Sequence, residues 1–148
     1  ADLTIMEEGS EFLKRVEDGG PFPMFTSCCP GWVNFVEKYY PEYTENLSTA
    51  KSPQQMLGAI IKTYIAKKLN VEPSKIYSVS IMPCTAKKDE CERPQHSRDG
   101  IRDVDVVLTT RELGRLMRVK KIPYGSLPEE EYDNPLGEST GAAVIFGV

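Results

Sequence analysis

Basic charge is in short supply here. The 148 residues carry 18 Lys and Arg against 22 Asp and Glu, a net charge of −4. Such a balance offers no cationic field to a nucleic-acid backbone or an anionic membrane surface. No apolar run approaches the roughly 20 residues that cross a bilayer, so membrane insertion is not expected. The opening residues, Ala1-Asp2-Leu3-Thr4, are acidic rather than basic-then-apolar, so no secretory leader is read there. They also lack an initiator Met, and a piece of a longer chain is expected. Cysteine occurs four times, at Cys28, Cys29, Cys84 and Cys91, and nowhere as Cys-x-x-Cys. That argues against a thioredoxin-type redox centre and an ordinary zinc site. Four cysteines, two of them adjacent, are too few for a disulfide scaffold. A reducing, cytoplasmic setting with metal or redox use is the expectation.

What is present is ordinary for one globular domain: 40% hydrophobic and 27% charged residues. Residues 4–18 read as a helix, with Thr4 and Glu7 as a capping box and Gly19-Gly20 as its stop. Glu8, Glu11 and Arg15 fall on one face of it, which by spacing alone is a solvated face with an Arg–Glu pair. Residues 22–27 read as a short strand and 30–40 as a helix that Pro41 stops. A polar loop over 41–51 precedes Ser52-Pro53-Gln54-Gln55, a helix start with Ser at the N-cap, Pro at N1 and Gln at N3. Met56, Ile60, Ile61, Tyr64, Ile65 and Leu69 follow at helical spacing as a core stripe. Strands are expected over 76–82 and 103–108, with a charged irregular stretch over 85–103 between them. Thr109 with Glu112 caps a further helix, and residues 121–138 read as a loop.

Strand and helix alternate. The fold class is therefore α/β: three layers, a mostly parallel sheet of about four strands, and helices on both faces. Sheets of this kind bind ligands beyond the carboxyl ends of their strands. Cys28-Cys29 and Cys84 each follow the end of an expected strand, so the topology predicts that they meet at one edge. Pro30 suits the first position of the second helix, which puts Cys29 at or beside the N-cap. A thiol there faces the positive end of the helix dipole, which favours the thiolate. The residues leave open a buried, inert pair, since cysteine also packs as a small hydrophobe. Lys87, three residues after Cys84, is either a hydrogen-bond donor to an anionic ligand or a surface lysine. Cys91 and His96 match no ordinary zinc spacing.

Thr26-Ser-Cys-Cys-Pro-Gly-Trp32, taken with Met82-Pro-Cys-Thr-Ala-Lys-Lys-Asp-Glu90, resembles the first two of three cysteine signatures of the iron-only hydrogenases. The resemblance extends to Ser52-Pro-Gln-Gln-Met56 and to the closing Gly137-Glu-Ser-Thr-Gly-Ala-Ala-Val-Ile-Phe-Gly147. It implies one lobe of a two-lobed catalytic domain that interconverts protons, electrons and dihydrogen. The implied cofactor is the six-iron H-cluster, a 4Fe-4S cubane joined to a di-iron subcluster that carries CO and cyanide. By the resemblance, Cys29 and Cys84 are two of the four cubane ligands, and Cys28 is the thiol that passes protons to the di-iron unit. Lys87 donates to a cyanide ligand, and Met82 packs near the di-iron unit. Pro53 and Gln54 line the same pocket, and Phe146 and Gly147 lie beside the cluster. Glu8, Glu11, Ser48 and Arg15 form a proton path from solvent, each Glu serving as a station when burial raises its pKa.

The family's third signature, with two more cysteines, lies beyond a glycine-rich segment that starts here at Gly141. The expectation is a fragment, or a chain completed by a partner, that is inactive alone. Ferredoxin-like cluster motifs upstream are likewise absent. The implied partners are the remainder of the catalytic domain and ferredoxin or another electron carrier. The alternative is a non-catalytic, hydrogenase-like iron–sulfur module with an assembly or sensor role.

Overall fold

A computed structural model describes residues 2–137, so Phe146 and Gly147 lie outside the described residues. The chain divides into two compact units, one holding residues 1–60 and the other beginning at Ile61.

In the first unit, α1 spans Asp2–Asp18. It begins two residues earlier than the Thr4–Glu7 capping box implies. Thr4 sits inside the helix, 2% exposed, and its hydroxyl donates to Met56 Sδ at 3.4 Å. The hydroxyl serves the packing of α1 on the helix Pro53–Ile60 rather than the helix start. Gly19 (φ +85°) and Gly20 (φ +126°) end α1 in conformations that L side chains rarely adopt. The strand expected over 22–27 reduces to one parallel bridge, Phe25 with Leu47. Pro21 and Pro23 offer no N–H, so no ladder extends from that bridge.

Helix α2 spans Pro30–Tyr39 with Cys29 as its N-cap, as the Cys-Pro step predicts. Val36 on its inner face is 1% exposed. The expected polar loop contains a short 3-10 helix, Pro41–Asn46. Helix α3 spans Pro53–Ile60, and Ser52 Oγ accepts from the Gln55 N–H at 3.4 Å. The second half of that cap fails. The Gln55 amide is fully buried, and neither of its polar atoms has a hydrogen-bond partner among the described residues.

The second unit opens with a π-helical segment, Ile61–Ile65, followed by α4, Ala66–Leu69. A π turn shifts the helical phase. The apolar stripe read at 3.6-residue spacing therefore fails here: Tyr64 and Leu69 are exposed, and Lys62 is buried instead. Lys62 Nζ donates to the Ile76 carbonyl and to Asp105 Oδ2, the latter at 2.7 Å. Asp105 also accepts the Ser78 N–H at 2.6 Å.

Strands β1 (Val79–Met82) and β4 (Val106–Thr109) pair in parallel, with Val79 opposite Val106 and Met82 opposite Thr109. The α/β class and the parallel pairing hold, and the parallel sheet among the described residues has two strands. The expected irregular stretch is ordered. It contains α5 (Ala86–Glu92) and a hairpin of β2 (Ser97–Arg98) and β3 (Ile101–Arg102). Asp99 (φ +52°) and Gly100 (φ +77°) make its turn, and an Asp-Gly step is a hairpin signal present in the sequence. Helix α6, Thr110–Val119, starts on the expected capping box. Glu112 N–H donates to Thr109 Oγ1 and its carboxylate accepts the Thr109 N–H. Cys91, Val104 and Val107 form the small core, with Met82 packed against it. Among the described residues no helix is long and apolar enough to cross a membrane.

Candidate functional site

The first unit holds two groups of predicted site residues. Cys29 is exposed at the N-cap, and its Sγ makes no capping hydrogen bond. A Cβ placed on Gly31 would lie 3.8 Å from that Sγ, so the sulfur sits over the first turn of α2. The turn's unsatisfied N–H groups present positive potential there. Cys28, one residue earlier, is half-buried. None of the four cysteines is in a disulfide.

The second group is built around Glu11. Its carboxylate accepts from Ser48 Oγ at 2.7 Å, from the Thr49 N–H at 2.9 Å and from Arg15 at 2.6 Å. Arg15 is no solvent-facing end station. It is 9% exposed, and its guanidinium also donates to the carbonyls of Glu45, Asn46 and Leu47. One buried arginine thus clamps the 45–47 backbone to α1 and orients Glu11. Glu8 lies half-buried one turn back on the same helix. An open pocket of about 630 Å³ reaches Glu11 and is lined also by Glu7, Ser10, Lys14, Thr49 and Lys51.

These contacts correct the expected electrostatics of Glu11. Burial does push its pKa up, but the Ser48 hydroxyl, the Thr49 N–H and Arg15 together outweigh it, and the net value falls below the ordinary 4.5. Glu11 therefore rests as a carboxylate. A lowered native pKa means stability that is present above the unfolded-state value and lost as pH falls through the native one. Thermal melts across the acid range are therefore expected to show an acid limb that Glu11→Gln flattens. An unchanged acid limb in Glu11→Gln would show that this network does not carry it.

The second unit holds the other cysteine motif. Met82 ends β1, and Cys84 follows in the turn to α5, half-buried. Lys87 lies in the first turn of α5, 5% exposed rather than on the surface. Its Nζ donates to both carboxylate oxygens of Glu90 at 3.1 Å, and Glu90 is itself 4% exposed. In the sequence Glu90 is only the acid that closes the motif, although its i,i+3 spacing from Lys87 is visible there. Pro53 and Gln54 form the first turn of α3 and are half-buried. Cys91 is buried, and its thiol donates to the Lys88 carbonyl, which accounts for it as core. Among the described residues no three His, Cys, Asp or Glu side chains converge to hold a metal ion. Cys28 and Cys29 belong to one unit and Cys84 to the other.

The family model for the C-terminal domain of the iron-only hydrogenase large subunit matches residues 1–148. Iron hydrogenase 1 of Clostridium pasteurianum is 53% identical over 99% of this chain, which covers 26% of that protein. The large subunit of the periplasmic iron hydrogenase of Nitratidesulfovibrio vulgaris is 51% identical over the whole chain, which covers 36% of it. A solved apo FeFe-hydrogenase HydA1 variant from Chlamydomonas reinhardtii aligns with a TM-score of 0.86 and 48% identity, over 99% of this chain and 38% of that one. Matches of 33–42% identity include proteins named cytosolic iron–sulfur cluster assembly factors. The chain thus spans about a quarter to well over a third of the hydrogenases that it matches. A family whose cofactors are iron–sulfur clusters accounts for thiols at the head of α2 and after β1, and the chain belongs to it: the family of C-terminal domains of iron-only hydrogenase large subunits.

Proposed function

We propose that this chain forms part of an iron-only hydrogenase catalytic domain that interconverts protons, electrons and dihydrogen. The observation that carries this reading is the chemistry of the two cysteine motifs. An accessible thiol stands at the N-cap position of α2, a second follows β1, and a buried ammonium lies three residues beyond it. That donor set fits an H-cluster: soft thiolates suit iron, and a buried cation suits anionic diatomic ligands. When bound, the cluster would relay electrons from a carrier and supply the site at which protons and dihydrogen interconvert.

The chain's own residues hold that group and feed it protons. Cys29 and Cys84 supply two of the cubane's thiolates, and the remainder of the catalytic domain supplies the other two. Lys87 would donate to a cyanide ligand and Met82 would pack near the di-iron unit, while Pro53 and Gln54, and by the family resemblance Phe146 and Gly147, would contribute to the lining of the cluster. Protons enter at the open pocket beside Glu11, pass through Glu11 and Ser48 to Glu8, and reach Cys28. Ser48, Thr49 and Arg15 together keep Glu11 ionised, and Arg15 holds it in place. Ferredoxin or a similar carrier brings the electrons, in a reducing cytoplasm. The alternative, an iron–sulfur assembly or sensor module, gives no use to a second thiol beside the N-cap or to a half-buried carboxylate held by Ser48 and Arg15.

The test is hydrogen evolution by the full-length protein after cluster loading, with a chemically reduced carrier. The full-length protein is expected to evolve hydrogen and the 148-residue chain alone is not. A loaded full-length protein that holds iron yet evolves none supports the assembly or sensor role instead.

A further inference from the structure

Glu90, paired with Lys87, is a residue that the proposed proton path and ligand set leave unused. Both side chains are almost fully enclosed, at 7% and 5% exposure, and both carboxylate oxygens lie 3.1 Å from the ammonium. An ion pair in such a place is seldom needed for stability, because desolvation cancels much of the attraction. A pair of apolar side chains of similar volume would fill the space as well. What the carboxylate does supply is a fixed position for the lysine. An ammonium on a four-carbon stem has rotamer freedom that an unrestrained side chain keeps. Two acceptor oxygens at equal distance restrain the direction in which the ammonium's three donors point.

We propose that Glu90 is a positioning residue. It holds the Lys87 ammonium aimed before any anionic ligand arrives, so that the ligand meets a preformed donor. This rests on the reading of Lys87 as the donor to a cyanide ligand. Local geometry supports the arrangement. Lys87 and Glu90 are one turn apart on α5, whose first turn follows Cys84 directly. Lys88, the next residue, points elsewhere and ties α5 to α6 through Glu112 at 2.8 Å. The helix is thereby anchored by one lysine while its neighbour is held by Glu90.

The experiment uses full-length hydrogenase carrying its cubane, loaded with a synthetic di-iron complex. Retention of the di-iron unit and the infrared cyanide stretch are measured for Glu90→Gln, Glu90→Asp and Lys87→Met. Glu90→Gln keeps the side chain's size and one acceptor but removes the charge. It is expected to keep the cubane iron and to retain the di-iron unit about tenfold less well, the scale of one charge-assisted hydrogen bond. Its cyanide band should move toward that of Lys87→Met. Glu90→Asp, one methylene shorter, should shift the band the same way by less, and it decides the matter if the Gln variant does not fold. A cyanide band and retention unmoved by substitution at Glu90, with both altered in Lys87→Met, overturn the positioning role and leave Lys87 as the donor. If Lys87→Met changes neither, the assignment of Lys87 is what fails.

Discussion

Replacing Cys28 with serine in the full-length hydrogenase is expected to lower hydrogen turnover by about 10²–10⁴-fold, the scale of losing a positioned proton-transfer group. Iron content should stay unchanged. The reasoning starts from the difference between adjacent thiols. Cys29 is the N-cap residue, exposed, with its sulfur over the first turn of α2. Cys28 precedes the cap and is half-buried, in the same unit as Glu11, Ser48 and Arg15. A thiol's ordinary pKa of about 8.5 lets it give and take a proton near neutrality. A serine hydroxyl of similar shape holds its proton far too tightly. Normal turnover in Cys28→Ser would remove the proton role, and loss of iron would make Cys28 a ligand.

Cys29→Ala and Cys84→Ala are expected to have the opposite profile: loss of cluster iron and, with it, of all turnover. A four-iron cubane is held by four cysteine thiolates, and this chain offers two at the positions that the motifs mark. Alanine leaves no donor. Neither substitution opens a large void, because Cys29 is exposed and Cys84 only half-buried. The fold should therefore survive, and circular dichroism of each variant should match the parent. Cys91→Ala is the control. Its sulfur is buried against Val104 and Val107, so a modest loss of stability with full iron content is expected. Full iron content in Cys84→Ala would move the ligand role elsewhere.

Most features governed by short-range rules were legible in the sequence, the Thr4–Glu7 capping box being an exception because Thr4 lies inside α1. The Cys29-Pro30 start of α2, the Ser52 N-cap and the Thr109–Glu112 capping box depend on residues within one turn, and all formed. Gly19-Gly20 ended α1 for the reason that glycine usually does. Features set by distant partners were not legible. Arg15 reads as half of a surface pair until the carbonyls of residues 45–47, some thirty positions away, are brought to it. The depressed pKa of Glu11 comes from Ser48 and Thr49, 37 and 38 residues along the chain. The π segment turned Lys62 inward toward Asp105, 43 residues on, and no periodicity count anticipates that phase change. The hairpin at Asp99-Gly100 is a different case: its turn signal was present, and the surrounding charge obscured it. At the site itself, the cysteines were placed by motif, whereas the burial of Lys87 against Glu90 became visible only in three dimensions.

The central claim is that adjacent thiols have separate tasks, with Cys29 holding iron and Cys28 moving protons. Anomalous diffraction at the iron edge, on crystals of the loaded full-length hydrogenase, tests it most directly. Iron is expected within bonding distance of the Cys29 and Cys84 sulfurs, with the Cys28 sulfur carrying none. Iron bonded to Cys28, or absent from Cys29, would contradict the account.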